Sequence, residues 1–158
     1  YSNWPLFVPI LLLLTAFIGA CAGSTGGGIK VVRTLVLAKQ SAGEITKLIH
    51  PNAVISIKLG KKAVSPRVAE SVWGFFSIYV IVFIILFLFL LAQGNDFITS
   101  FSAVGATLNN LGPGLGEVSN NYQSLSDYSK LGLCMAMLLG RLEIFTLLVL
   151  FTPAFWRK

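Results

Sequence analysis

The run GSTGGGIK, Gly23 to Lys30, has the composition of a phosphate-binding loop and fails its spacing. A P-loop reads G-x-x-x-x-G-K-[ST], so that backbone N–H groups cradle phosphates while the Lys reaches the outermost one. Gly23 to Gly28 supplies the first six positions, but Ile29 stands where Lys is required, Lys30 comes one place late, and Val31 replaces the Ser or Thr. The run also follows an apolar segment and not a strand, so nucleotide binding is not expected there. Other reactive groups are scarce. His50 precedes Pro51 in a polar stretch with no second ligand at metal spacing, and Cys21 and Cys134 lie far apart in apolar surroundings, where they read as structural thiols. No paired carboxylates, Ser-His-Asp or Cys-His constellation can be assembled, which excludes an enzyme, and no cofactor or metal cluster is expected.

Arg141 is the remaining charge of interest, because it falls within an apolar stretch. A cation near the middle of a bilayer costs roughly 2.5–3.5 kcal/mol on insertion scales, so Arg141 must face a bundle interior or a wet cavity. Glu143, two residues on, lies on another helix face and does not neutralise it along the helix. A structural ion pair with another helix and a place on a permeation path both fit this position.

The elements that position these groups belong in a membrane. Of 158 residues, 55% are apolar and 11% charged, with a mean hydropathy of +0.80, which excludes an ordinary soluble domain and indicates an all-α membrane protein. The chain opens without Met and is apolar by Trp4, which is expected of an internal or C-terminal piece of a longer chain. Val72 to Ala92 is an uncharged span of the length a bilayer needs. Leu131 to Trp156 is as long and carries Arg141, and Trp4 to about Leu37 would be one long helix but for its glycines. Charge is sorted between the loops. Eight of the twelve basic residues fall between Lys30 and Arg67, whereas Gln93 to Tyr128 holds Asp96, Glu117 and Asp127 and no Lys or Arg. By the positive-inside rule, residues 40–70 are cytoplasmic and 93–128 lie outside, so the net charge of +6 reflects orientation and not nucleic-acid binding.

Two segments break the simple pattern of spans. In DFITSFSAVGATLNNLGPGLGEV, Asp96 is a candidate N-cap for a helix ending near Ala106, about 15 Å long and so half a membrane. The glycines and proline that follow cannot extend it. Such a unit suits a re-entrant pore loop, since irregular backbone at membrane depth must be buried in protein or line a water-filled cavity; an external loop with a short surface helix is the alternative. The other segment is GACAGSTGGGIKVVR, Gly19 to Arg33. Small residues there could serve close helix packing or a bent helix, but consecutive glycines favour an unwound break of the kind that faces an ion or substrate pathway. Between the spans, AVISIKLG followed by Lys61 and Lys62 reads as a small hairpin, with the next helix starting near Pro66.

GACAGSTGGGIKVVR, FSAVGATLNNLGPGLGEV and LGRLEIFTLLVLFTPAFW together, and in this order, closely resemble the C-terminal part of the TrkH family, the membrane subunits of bacterial Trk potassium uptake within the Trk/Ktr/HKT superfamily. The resemblance covers essentially the whole chain and implies a fragment of a potassium-channel-like fold made of M1-pore helix-M2 repeats. It implies that residues 1–40 are M2 of a third repeat, broken by an intramembrane loop at 22–28, and that 41–69 form a cytoplasmic basic linker. Residues 70–158 would be a fourth repeat, with M1 at 70–92, a pore helix at 96–106, a filter at 107–112 and M2 at 130–156. By the same resemblance the backbone carbonyls of Thr107, Leu108, Asn109, Asn110 and Leu111 supply a quarter of a potassium filter. Ala22, Gly23, Ser24, Thr25, Gly26, Gly27 and Gly28 would form a gate beneath it, which Arg141 faces. Gly112 comes only after two asparagines, so the filter register is open by one or two residues, and the fourth quarter differs from a symmetric potassium channel.

What the resemblance implies for function is potassium translocation across the bacterial inner membrane, with residues 40–70 and the C-terminus cytoplasmic and 93–128 periplasmic. It further implies a homodimer of the full-length chain and a cytoplasmic nucleotide-binding regulatory subunit of the TrkA type, for which the basic stretch Lys39 to Arg67 is a candidate contact unless it serves orientation alone. A secondary transporter with a substrate site at its broken helix is the alternative; it would not require the half-length helix and glycine loop of Asp96 to Gly116.

Overall fold

The computed structural model describes residues 4, 5, 7–21, 23, 24, 26–51, 58–60, 62–142, 144 and 156. Five helices carry this part of the chain: α1 (Phe7–Ile18), α2 (Val31–Ile49), α3 (Pro66–Ala92), α4 (Phe97–Leu108) and α5 (Asp127–Arg141). Between α2 and α3, β1 (Lys58–Leu59) pairs antiparallel with β2 (Lys62–Ala63) across a turn at Gly60, and a 3-10 turn spans Gly116–Val118.

Local chemistry explains where the helices begin and end. Pro66 opens α3, where the proline places the start of a helix, because its missing N–H is needed by no carbonyl in the first turn, and the helix takes in the whole 70–92 segment expected as M1. At 27 residues and mean hydropathy 3.1, α3 is about 40 Å long, enough to cross the ~30 Å hydrocarbon core with some tilt. Ile81, Ile84, Ile85 and Leu88 recur at i, i+3, i+4 and i+7 and form its exposed stripe, while Phe75, Tyr79 and Leu90 turn inward. The helix α2 continues past residue 40, the expected limit, to Ile49. Glu44 and Lys47 pair at 2.8 Å one turn apart, and the chain leaves the helix only at His50, whose extended backbone is what a following proline demands. The linker beyond residue 40 is therefore partly helical, and its hairpin is described only from Lys58, since residues 52–57 lie outside the described residues. Lys39 donates to the Lys58 carbonyl at 2.7 Å and ties α2 to β1.

The core forms around α4, which packs against α1, α3, α5 and the 3-10 turn. Thr99 to Leu108 are buried apart from half-buried Phe101, and most are Ser, Ala, Gly, Thr or Val, small enough for neighbouring backbones to come close. On the side toward α1 and α3, Phe17, Phe83, Phe87, Phe97 and Phe101 meet with centroids 5.3–6.4 Å apart, mostly edge to face. Each such pair contributes about 0.5–1.5 kcal/mol beyond simple area burial. Cys21 and Cys134 are free and exposed on this chain.

Candidate functional site

The polar chemistry gathers where α4 stops. Asp96 starts the helix, its carboxylate accepting from the Ile98 N–H at 3.2 Å. The end is a Schellman turn. The Asn110 N–H donates to the Thr107 carbonyl at 3.1 Å and the Leu111 N–H to the Ala106 carbonyl at 2.8 Å, with Asn110 in the left-handed conformation at φ 53°. Asparagine tolerates that conformation better than other non-glycine residues, so the pair Asn109-Asn110, and not the glycines after it, ends the helix. The chain then doubles back along α4. Leu111 is bonded to Ala106; Leu115 donates to the Ser102 hydroxyl at 2.7 Å and accepts from it at 3.1 Å; Glu117 donates to the Thr99 hydroxyl at 3.4 Å. Gly114 donates to the Val118 carbonyl at 3.1 Å, and the Tyr122 hydroxyl donates to the Gly112 carbonyl at 2.6 Å. A half-length helix with its return strand fastened to it therefore brings the exposed turn Asn110–Pro113 to the helix's C-terminal end.

A second break separates α1 from α2. It runs from Gly19 to Lys30, wider at both ends than the expected 22–28, because its neck is closed by backbone bonds. Ile29 donates to the Phe17 carbonyl and Val31 to the Ala20 carbonyl, each at 3.2 Å, so α2 resumes close to where α1 ends. Gly19 has φ 74°, and a methyl there would lie 2.8 Å from the Gly27 carbonyl oxygen and 3.2 Å from the Gly28 Cα. Within the loop the Ser24 hydroxyl accepts from the Gly26 N–H at 3.1 Å.

The two breaks touch. A methyl at Gly27 would lie 2.6 Å from the Asn109 carbonyl oxygen and 2.9 Å from the Asn110 Nδ2, and one at Gly28 would lie 3.1 Å from the Asn109 Oδ1. From α5, Gly140 presses on the Leu108 carbonyl so closely that no side chain fits. From α3, the buried Tyr79 hydroxyl donates to the Asn109 Oδ1 at 2.8 Å. The Arg33 guanidinium sits 4.3 Å from the centroid of Phe75, which stacks on Tyr79.

Of the expected filter residues, Thr107 and Leu108 lie in the last turn of α4, fully buried, so the helix passes the expected boundary at residue 106. The physical reason is that the Thr107 hydroxyl bonds back to the Ala103 carbonyl at 2.7 Å and needs no partner outside the helix. Asn109 is buried at the helix cap; Asn110 and Leu111 are exposed in the turn. Within the expected gate, Gly27 and Gly28 are buried against Asn109, Gly26 and Ser24 are half-buried, and Gly23 is exposed with nothing within 4 Å of its missing side chain. Ala22 and Thr25 lie outside the described residues. Arg141 is the last residue of α5 and exposed; its neighbour Gly140 makes the close contact with α4. Most of the expected 130–156 span beyond Leu142, Glu143 included, lies outside the described residues. Sequence reasoning missed Gly140 and Tyr79. Each had a signal: a glycine inside a span calls for close approach, and a lone hydroxyl in an apolar helix calls for a partner.

Beside this meeting point the turn Asn110–Pro113 is exposed, and no carboxylate belongs to the described residues named in the contact. The family model TrkH, described as a cation transport protein, matches residues 1–158. The chain is 59% identical over 157 residues, 99% of its length, to the Trk system potassium uptake protein TrkH of Escherichia coli, and 46% identical over 158 residues to TrkG of the same species. The crystal structure of the potassium transporter TrkH from Vibrio parahaemolyticus superposes with a TM-score of 0.89 at 58% identity, covering 98% of this chain and 33% of that one. The chain thus spans about a third of the length of these relatives. With every residue matched to one family model and the fold shared with a solved member, the chain belongs to the TrkH family of membrane cation transport proteins.

Proposed function

We propose that the chain is the C-terminal third of a potassium-translocating subunit, in which α4 is a pore helix and the turn after it is one quarter of a carbonyl-lined filter. The observation that carries this is the return strand fastened along α4 by Ser102 and Thr99, which holds a bare backbone turn at the depth where a half-length helix ends. Ions crossing there would exchange hydration water for carbonyl oxygens. Among the residues first expected to line the filter, Asn110 and Leu111 suit the role best, with Gly112 following them. Thr107 and Leu108 are helical, and Asn109 is pressed against Gly27.

The break from Gly19 to Lys30 is the gate in this reading. It lies against Asn109 at the foot of the turn, and its glycines meet neighbouring backbone directly. Arg141, one residue from the contact of α5 with α4, adds positive charge that opposes cation entry when the loop is closed. The relatives named as potassium uptake proteins supply the ion. A homodimer of the full chain, a TrkA-type regulatory subunit reached through α2 and the hairpin, and a bacterial inner membrane with residues 40–70 cytoplasmic complete the proposal. A broken helix alone would suit a secondary transporter equally, but that reading leaves α4 and its fastened return strand without a purpose.

The test is rubidium and sodium uptake into proteoliposomes holding the intact parent protein, alongside a variant lacking Ala22 to Gly28. Rubidium flux above sodium flux, rising in the deletion, supports a potassium path gated by the loop. No cation flux in either protein, with insertion verified, overturns it.

A further inference from the structure

Asn109 is the residue on which three elements converge, and its side chain is fixed by hydrogen-bond chemistry. Its Nδ2 donates to the Gly105 carbonyl at 2.8 Å, an oxygen that can only accept, which sets the amide's orientation and leaves Oδ1 to accept from the Tyr79 hydroxyl at 2.8 Å. Tyr79 is held in turn. It is 3% exposed, stacked on Phe75 at 6.2 Å and met edge-on by Phe17 at 6.4 Å. Nothing in ion coordination requires a phenol on α3, and an apolar bilayer helix gains nothing from one unless the hydroxyl has a partner.

We propose that Tyr79 is a positioning residue for cation selectivity: its hydroxyl locks the Asn109 amide, and through it holds the turn Asn110–Leu111 in register against the loop at Gly27 and Gly28. The role rests on the pore reading above. A filter discriminates by the fit or the number of its carbonyl dipoles, and either fails when those carbonyls can shift to suit a smaller ion. The residue just before the turn is the cap of α4, so a free Asn109 side chain would let the cap unwind and the first carbonyls follow. Because the same amide oxygen also abuts Gly28, the lock joins loop position to filter geometry.

The experiment compares rubidium and sodium uptake by the intact parent protein and its Y79F, N109A and Y79F/N109A variants in proteoliposomes, with S77A as a control on the same helix, where the Ser77 hydroxyl bonds only within α3 in the described contacts. Y79F keeps the ring and its packing, so insertion and total rubidium flux are retained while the rubidium-to-sodium ratio falls about threefold to tenfold, the scale of one hydrogen bond. If Tyr79 acts through Asn109, the double variant has the ratio of N109A alone. A ratio within twofold of wild type in Y79F, or equal additive losses in the double variant, overturns the lock while leaving the pore reading intact. Should Y79F fail to insert, an unchanged ratio in N109A overturns it by itself. A wild-type protein that carries no cation overturns the pore reading and the lock together.

Discussion

Both breaks between helices, after α1 and after α4, are short and rich in glycine, yet they are held in opposite ways. The return strand after α4 is fastened by side chains: Ser102 bonds both sides of Leu115, Thr99 receives Glu117, and Tyr122 reaches Gly112. In the described residues of the break between α1 and α2, backbone meets backbone, with two N–H bonds at the neck and glycines where a side chain would collide. Side-chain hydrogen bonds at low dielectric fix a geometry and resist its loss. A loop held by the absence of side chains has contacts worth little individually and can leave as a unit. In the proposed function, the difference matches a fixed filter and a movable plug to the segments best suited to each.

The largest expected effect comes from removing the one contact that neither segment can relax. Gly140 faces the Leu108 carbonyl from the last turn of α5, and a valine there must push two packed helices apart. We expect G140V in the intact protein to lose most folded yield, measured by size-exclusion profile in detergent, and to show no rubidium uptake. A normal profile and normal uptake would mean that α5 does not bear on the end of α4.

Next in size is S102A. It deletes two bonds to Leu115 and leaves the half-buried Leu115 N–H without its Ser102 partner, a loss of about 1 kcal/mol or more. If the return strand is the fixed part, thermal stability in detergent drops and sodium flux rises relative to rubidium. A fall in stability with an unchanged ratio would separate the strand from ion discrimination and blur the contrast drawn here.

How much of this was legible beforehand depends on whether a feature is local. Asp96 could be read as a cap because capping is a matter of one residue and the N–H groups just after it, and the break was visible because three successive glycines cannot stay helical. The end of α4 was misplaced by two residues because Asn109-Asn110 stops the helix through a left-handed turn that only the bonds to Ala106 and Thr107 reveal. Composition marks the glycines only as helix breakers, and that accounts for only part of the run. Gly19, Gly27 and Gly28 are glycine because another backbone or Asn109 occupies the space, a long-range fact that composition cannot carry. Tyr79 and Gly140 escaped for the same reason: their partners are 30 residues and about as many distant in sequence, on other helices.

The smallest effect is the sharpest test of that last distinction. Gly23 and Gly27 are four residues apart in one loop, and a reading that treats the run as uniformly flexible gives them similar sensitivity. Their surroundings differ. A methyl at Gly23 meets nothing within 4 Å and its φ is not in the left-handed region, whereas one at Gly27 lies 2.6 Å from the Asn109 carbonyl oxygen. G23A is therefore expected to leave rubidium uptake within about a factor of two, since a surface substitution away from packed features changes free energy by only about 0.5 kcal/mol. In G27A either the loop or the Asn109 cap must move. If the loop is the weaker-held partner, it yields, and uptake without the regulatory subunit rises severalfold while the rubidium-to-sodium ratio stays. If the ratio falls instead, the filter turn has given way first, and the assignment of the rigid and the movable segment has to be exchanged.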